Sequence, residues 1–325
     1  MIPSQKPVPD PILKPKSKRR PTSGLRDEPR VSVIIVTWNR LRDVLITLKY
    51  LDRVHYGNFE TIVVDDGSTD GTVDTLQQRD DIRLIRAQTN GGPAAARNLG
   101  AEKATGEYLF FLDSDALLSK RGLAKLVERM EAAPDVGVIG CRITNFFNRK
   151  IDQWFYAGRY AKYGDVEFET YSFSCAGAMV RASLFHSIDG FWEDLAMYNE
   201  EVDLSLQVIR AGYRILYTPA VRVYHRVSPD ARKPLTRYYH KQARNWILIF
   251  YRHYPFWPRW RNIALYSCVY LVKGALRLCL KDAVRGLVDG MCARHVVHRF
   301  PHKLDRADRR YLRPLNRRWR LNLTR

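Results

Sequence analysis

The sequence predicts an α/β fold with a mostly parallel central sheet, followed by a helical C-terminal appendage. Three observations carry this expectation. Residues 31–37 and 59–64 are runs rich in β-branched residues, the pattern of strands covered on both faces. Helical patterns separate such runs, and strands alternating with helices over short links require a parallel sheet with right-handed crossovers. The run Tyr108-Leu109-Phe110-Phe111-Leu112 then stops at Asp113-Ser114-Asp115, so two carboxylates sit at a strand end, where open α/β sheets place their ligands.

In chain order, the first strand runs into Trp38-Asn39-Arg40 and a helix reaching about Leu51. The second strand stops at Asp65-Asp66-Gly67-Ser68, a turn with capping residues for the helix that follows. A third strand over 82–86 leads to Asn90-Gly91-Gly92-Pro93, where proline suits a first helical turn and the next alanines carry the helix through Arg97 and Asn98. Polar groups thus recur at strand ends: Thr37 and Asn39, Asp65 and Asp66, Asp113 and Asp115. In a parallel sheet they share one edge and form a nucleotide-sized crevice. Two carboxylates at i and i+2 can hold a hard divalent cation through oxygen, although Asp and Ser alone also compose ordinary turns.

Beyond Asp115 we expect a helix over 120–132, a strand over 136–140, an irregular aromatic stretch over 142–169 and an extended segment over 171–180. A helix opens at Glu200-Glu201-Val202-Asp203, where acids in the first turn suit the helix dipole. Strand signals over 212–217 and 221–225 end at His225.

At 325 residues and 46% hydrophobic, the chain can bury a large core, and its net charge of +20 calls for an acidic partner: nucleic acid, an anionic membrane surface or a phosphorylated substrate. Five scattered cysteines form neither a zinc spacing nor a disulfide framework and are expected to be reduced thiols in the cytoplasm. The prolines and lysines of the first residues, and the lack of any run of about 18 apolar residues, lead us to expect neither a secretory leader nor a membrane-spanning helix. We divide the chain into a basic disordered tail (1–30), a catalytic segment (31–232) and an appendage (233–325).

The motifs VSVIIVTWNR, VVDDGSTDGT, NGGPAAARNLG and FLDSD, in this order, resemble glycosyltransferase family 2, and the resemblance covers residues 31–225. It implies a Rossmann-like nucleotide-diphospho-sugar transferase fold and transfer with inversion at the anomeric carbon. It also implies donor contacts from Thr37, Asn39, Asp65, Asp66, Arg97 and Asp113, and a Mg2+ or Mn2+ ion held by Asp115 and His225 with Asp113 nearby. Within Glu-Glu-Val-Asp it points to Glu201 as the base that deprotonates the acceptor, with Glu200 second and Asp203 in support. The implied donor is a UDP-, dTDP- or GDP-sugar, and the acceptor a glycan or lipid-linked glycan. Gln242-Ala243-Arg244-Asn245-Trp246 misses the Gln-x-x-Arg-Trp spacing of processive synthases, and the arrangement is similar to the rhamnosyltransferase-like bacterial branch.

Two other classes fit less well. A nucleotidyltransferase would want a Gly-rich basic loop where Thr37-Trp38-Asn39 stands, and an inactive binding relic would be expected to lose the acids retained here. Nucleic acid is set aside, because the basic and aromatic residues cluster in the appendage. There, residues 263–280 are strongly apolar, and Lys273, Arg277, Lys281 and Arg285 follow at i, i+4 as one basic stripe down a helix. Such a helix suits a membrane interface, here the inner face of the cell membrane, or else packs on the catalytic segment.

Overall fold

The structure, a computed structural model, describes residues 28–152, 163–226, 234–299 and 303–312. The aromatic residues Trp154, Tyr156 and Tyr160, the N-terminal basic tract and the last part of the C-terminal tail lie outside them. Among the described residues, nine strands form one sheet in the order β3-β2-β1-β4-β8-β6-β9-β5, with β7 beside β9. These are β1 (Val31–Thr37), β2 (Phe59–Asp65), β3 (Arg83–Arg86), β4 (Tyr108–Asp113), β5 (Ala116–Leu118), β6 (Val136–Asn145), β7 (Phe168–Thr170), β8 (Ala178–Arg181) and β9 (Arg214–His225).

The ladders β1/β2, β1/β4, β2/β3 and β6/β9 are parallel, and the short strands β5, β7 and β8 run against them. The sheet is therefore mostly parallel, as the β-branched runs require, with reversed strands too short to leave a pattern. Of the segment 171–180, only its last residues are strand.

Helices α1 (Leu41–Leu51), α2 (Thr72–Leu76), α3 (Pro93–Glu102), α4 (Gly122–Glu131) and α5 (Ala182–Ser187) cover the two faces. Gly100 lets α3 lie close over β1, since a Cβ there would stand 2.6 Å from Ile34. Register brings the polar strand ends together. Thr37 pairs with Asp65, Val36 with Asp113, and His225 with both Ala116 and Asn145. Pairing β5 with the end of β9 is what carries Asp115 across to His225.

The C-terminal third continues the same body. Helix α7 (Leu235–His253) places Trp246 to Phe250 in one buried cluster with Phe111, Phe191 and Leu204. Pro255 ends it and caps α8 (Phe256–Leu276), whose Pro258 falls in the first turn, where no backbone N–H bond is lost. Helix α9 (Leu280–Cys292) returns across α7. The expected single basic stripe does not form. The backbone breaks between α8 and α9, with Leu278 at φ 56°, so Lys273 and Arg277 lie on one side of a turn and Lys281 and Arg285 on the other.

Helix α6 (Glu200–Arg210) is clamped to α7 by charge. Asp203 Oδ2 accepts from Arg252 at 2.8 Å and from Gln207 at 2.9 Å, and its Oδ1 lies 2.7 Å from His253 Nε2. Asp203, Arg252 and His253 are fully buried. Burial lowers the His253 pKa despite the pull of Asp203. Removing one member of such a pair leaves a charge without compensation in a dry interior, at a cost of about 3–5 kcal/mol. Asp203→Ala should lose about that much unfolding free energy, read as a drop in the guanidinium midpoint.

Candidate active site

A cleft of about 1010 Å³ opens where the parallel strands end. Its floor carries Asn39, Arg40, Asp66, Arg97, Asp113, Asp115 and His225; the start of α6 adds Glu200 and Glu201. Helices α7 and α8 supply the facing wall, including Tyr238, Lys241, Tyr270 and Lys273. Tyr171 to Ser174, just before β8, close the near side.

Asp113, Asp115 and His225 can each offer one ligand atom, all within 4.8 Å of one another. Two carboxylates and an imidazole suit a divalent cation, so the residues fit the ion that the motif implies. His225 Nδ1 lies 2.6 Å from Asp152 Oδ2 and its Nε2 3.1 Å from Asp115 Oδ1. A carboxylate behind a ligating imidazole fixes the ring and its tautomer. Burial opposes charge on His225, but its bonds to Asp115 and Asp152 outweigh this and push its pKa up to about 10. Arg40 donates to Asp115 Oδ2 at 2.8 Å. A cation thus already sits on this carboxylate.

The strand-end residues divide their work. Asp66 accepts from the N–H groups of Gly91 and Gly92 at 2.9 and 3.0 Å, holding the glycine loop against the cleft. Asp65 Oδ1 takes the N–H groups of Gly67 and Ser68, while its Oδ2 and the neighbouring Thr37 Oγ1 are buried without a hydrogen-bond partner among the described residues. Thr37 and Asp65 lie behind the lining, whereas Asp66 is part of it. Asn39, at φ 51°, accepts from Thr69 N–H at 2.7 Å and so ties the β1 end to the loop after β2.

Arg97 is buried and bridges the two sides. It donates to Asp113 Oδ1 at 3.2 Å and to Glu200 Oε1 at 3.0 Å, with its guanidinium 5.6 Å from the centre of the Phe191 ring. Burial, followed by the neighbouring Glu201 charge, pushes Glu200 up to about 8 against the pull of Arg97. Its Oε2 has no partner among the described residues, leaving an oxygen where a proton can sit. Glu201 is the more open of the two acids, and its Oε1 lies 3.5 Å from Cys175 N. Asp203, by contrast, is turned to α7 and does not line the cleft. The supporting part assigned to it from sequence is thus corrected to that of a clamp residue.

The loop before α6 carries three non-glycine residues at positive φ, Ala196, Tyr198 and Asn199. Asn245 of α7 holds it, its side-chain amide donating to the carbonyls of Leu195, Met197 and Tyr198 at 2.8–3.0 Å. Sequence reasoning missed Arg40, Asp152 and Asn245. Arg40 stood next to a recognised strand end and Asp152 inside an irregular stretch, whereas nothing local distinguished Asn245.

The family model for "Glycosyl transferase family 2" matches residues 32–203. The chain belongs to glycosyltransferase family 2. Among its relatives, the chain is 42% identical over 108 residues to the putative teichuronic acid biosynthesis glycosyltransferase TuaG of Bacillus subtilis, covering 32% of the chain and 42% of TuaG. It is 28% identical over 232 residues to the O-antigen biosynthesis protein RfbC of Myxococcus xanthus, covering 64% of the chain and 18% of RfbC. The matched segments thus span less than half the length of either relative. Two solved structures share its fold. TarS of S. aureus in complex with UDP-GlcNAc superposes with a TM-score of 0.58 at 20% identity, over 81% of this chain and 80% of that one. Mannosyltransferase PcManGT of Pyrobaculum calidifontis, in complex with GDP-Man and Mn2+, gives 0.55 at 22%, over 82% and 76%.

The Glu200 shift has a stability consequence with a definite sign. A carboxyl whose folded pKa lies near 8, against 4.5 for the free group, binds more protons folded than unfolded between those values. Its contribution to stability therefore falls as pH rises through that window. Glu200→Gln keeps the acceptor for Arg97 and removes the titration, so its melting temperature should gain on the wild type by several degrees from pH 5 to pH 8, measured by calorimetry. A constant difference across that range would show that Glu200 does not hold the extra proton.

Proposed function

We propose that this protein transfers a sugar from a nucleotide-diphosphate-sugar to a hydroxyl of a glycan or lipid-linked glycan, with inversion, in the synthesis of cell-surface polysaccharide or glycolipid. The observation that carries the reading is one cleft with a cation-ligand cluster on one side and two glutamates on the other, joined by Arg97. The nucleotide sugars bound by TarS and PcManGT support the donor class, and the names of TuaG and RfbC support the pathway class.

Asp113, Asp115 and His225 would hold Mg2+ or Mn2+. Bound there, such an ion supplies positive charge to the diphosphate as it departs. The protein's own part is orientation and proton transfer. Asn39 and Asp66 line the cleft where the donor's base and ribose would lie and hold the loops that frame them, with Thr37 and Asp65 buried behind in support. Arg97 keeps Asp113 and Glu200 at fixed spacing. With a proton retained on Glu200, Glu201 is the open carboxylate that takes the proton from the acceptor hydroxyl as it attacks from the face opposite the diphosphate. One displacement inverts the centre. The acceptor would meet the enzyme at the inner face of the cell membrane, and the net charge of +20 supports an anionic partner there.

Incubation with a panel of UDP-, dTDP- and GDP-sugars should show slow nucleotide release from one of them, abolished by EDTA and by Asp115→Ala. Glu201→Gln should retain donor binding yet lower transfer by about 10²–10⁴-fold. A folded Glu201→Gln protein with near-normal transfer would remove Glu201 from the mechanism.

A further inference from the structure

Helix α8 has two unlike faces. Tyr266, Val269, Tyr270 and Lys273 line the cleft. On the opposite face every exposed position from Phe256 to Leu276 except Arg261 is apolar or a cysteine. Trp257, Leu265, Val272 and Leu276 recur there at helical spacing along about 28 Å of helix. The solvent side of a helix on a water-soluble body is ordinarily its polar side. The apolar stripe continues round the turn into α9, where Leu278 is 95% exposed and Leu280 and Val284 follow. Basic residues surround the turn, with Arg277 between the leucines and Lys281 and Arg285 beside them on α9.

We propose that the outward face of α8 and the α8–α9 turn dock on an anionic lipid bilayer. This rests on the membrane reading above and names the surface that makes the contact. Charge selects the occupant. A second copy of the chain would bring the same basic ring against itself. Residues 1–27 and 313–325 are also predominantly basic and would be repelled by it. An anionic bilayer accepts the apolar stripe in its acyl boundary and the cations among its headgroups, and no described helix is long and apolar enough to cross it. Because the other face of α8 is a wall of the cleft, docking would hold the cleft one helix away from the bilayer.

The test uses the full chain with phosphatidylcholine vesicles, alone or containing phosphatidylglycerol, in a co-sedimentation assay. Wild type should bind the anionic vesicles and release them at high salt. The combined variant Val272→Ser, Leu276→Ser, Leu278→Ser should bind at least about tenfold more weakly, with its melting temperature and donor-nucleotide affinity unchanged. Arg277→Ala with Lys281→Ala should remove the preference for anionic over neutral vesicles. Vesicle binding by the serine variant equal to wild type would overturn the proposal. So would a wild-type dimer that ignores vesicles and that the same variant dissolves. Donor binding is scored separately: its absence from wild type would sink the transferase reading and leave the vesicle result standing.

Discussion

A buried guanidinium holds the two halves of this cleft together. Arg97 comes from α3, is buried, and finds its partners in Asp113 at the end of β4 and Glu200 at the start of α6. Burying an arginine is tolerable only when its donors are met, so wherever α3 goes, those two acids must follow. The sheet order satisfies this demand. Its parallel half delivers Asp113 to the floor, and the clamp on α7 delivers Glu200 from the other side. The Phe191 ring beneath the guanidinium completes a site in which charge, more than apolar packing, sets the distance between the cation-ligand cluster and the glutamates.

Helix α7 is the second constraint. Arg252 and His253 grip Asp203 inside α6, and Asn245 grips the three carbonyls just ahead of it. Three residues in left-handed conformations without glycine cost free energy that the surroundings must supply, and those carbonyl contacts are where it comes from. The segment after residue 233, set apart in the sequence by its composition, is therefore built into the site through two of its helices, α7 and α8, while α9 adds nothing to the lining.

What could be read from sequence follows from how local each signal is. The β-branched runs of β1 and β2 and the apolar run of β4 announced themselves because a strand covered on both faces must be apolar throughout. Asp113, Asp115 and His225 could be gathered through motif order before any fold was known. The short reversed strands β5, β7 and β8 have three or four residues each and exist because their neighbours pair with them, a condition no single stretch encodes. Asp152 behind His225, Arg40 on Asp115 and Asn245 under the loop are contacts across long separations. The basic stripe failed for the converse reason: helical spacing continued in the residues while Leu278 turned the backbone.

The grip of Asn245 on Tyr198 spans 47 residues of chain. During synthesis the glutamates emerge first, on a loop that nothing yet holds in its left-handed turns. At about 5–20 residues per second, roughly two to nine seconds pass before the amide that pins them has even been made. The protein is thus born with its acids unplaced, and the geometry of its cleft is a late event in its own translation, timed by the arrival of a helix that carries neither glutamate.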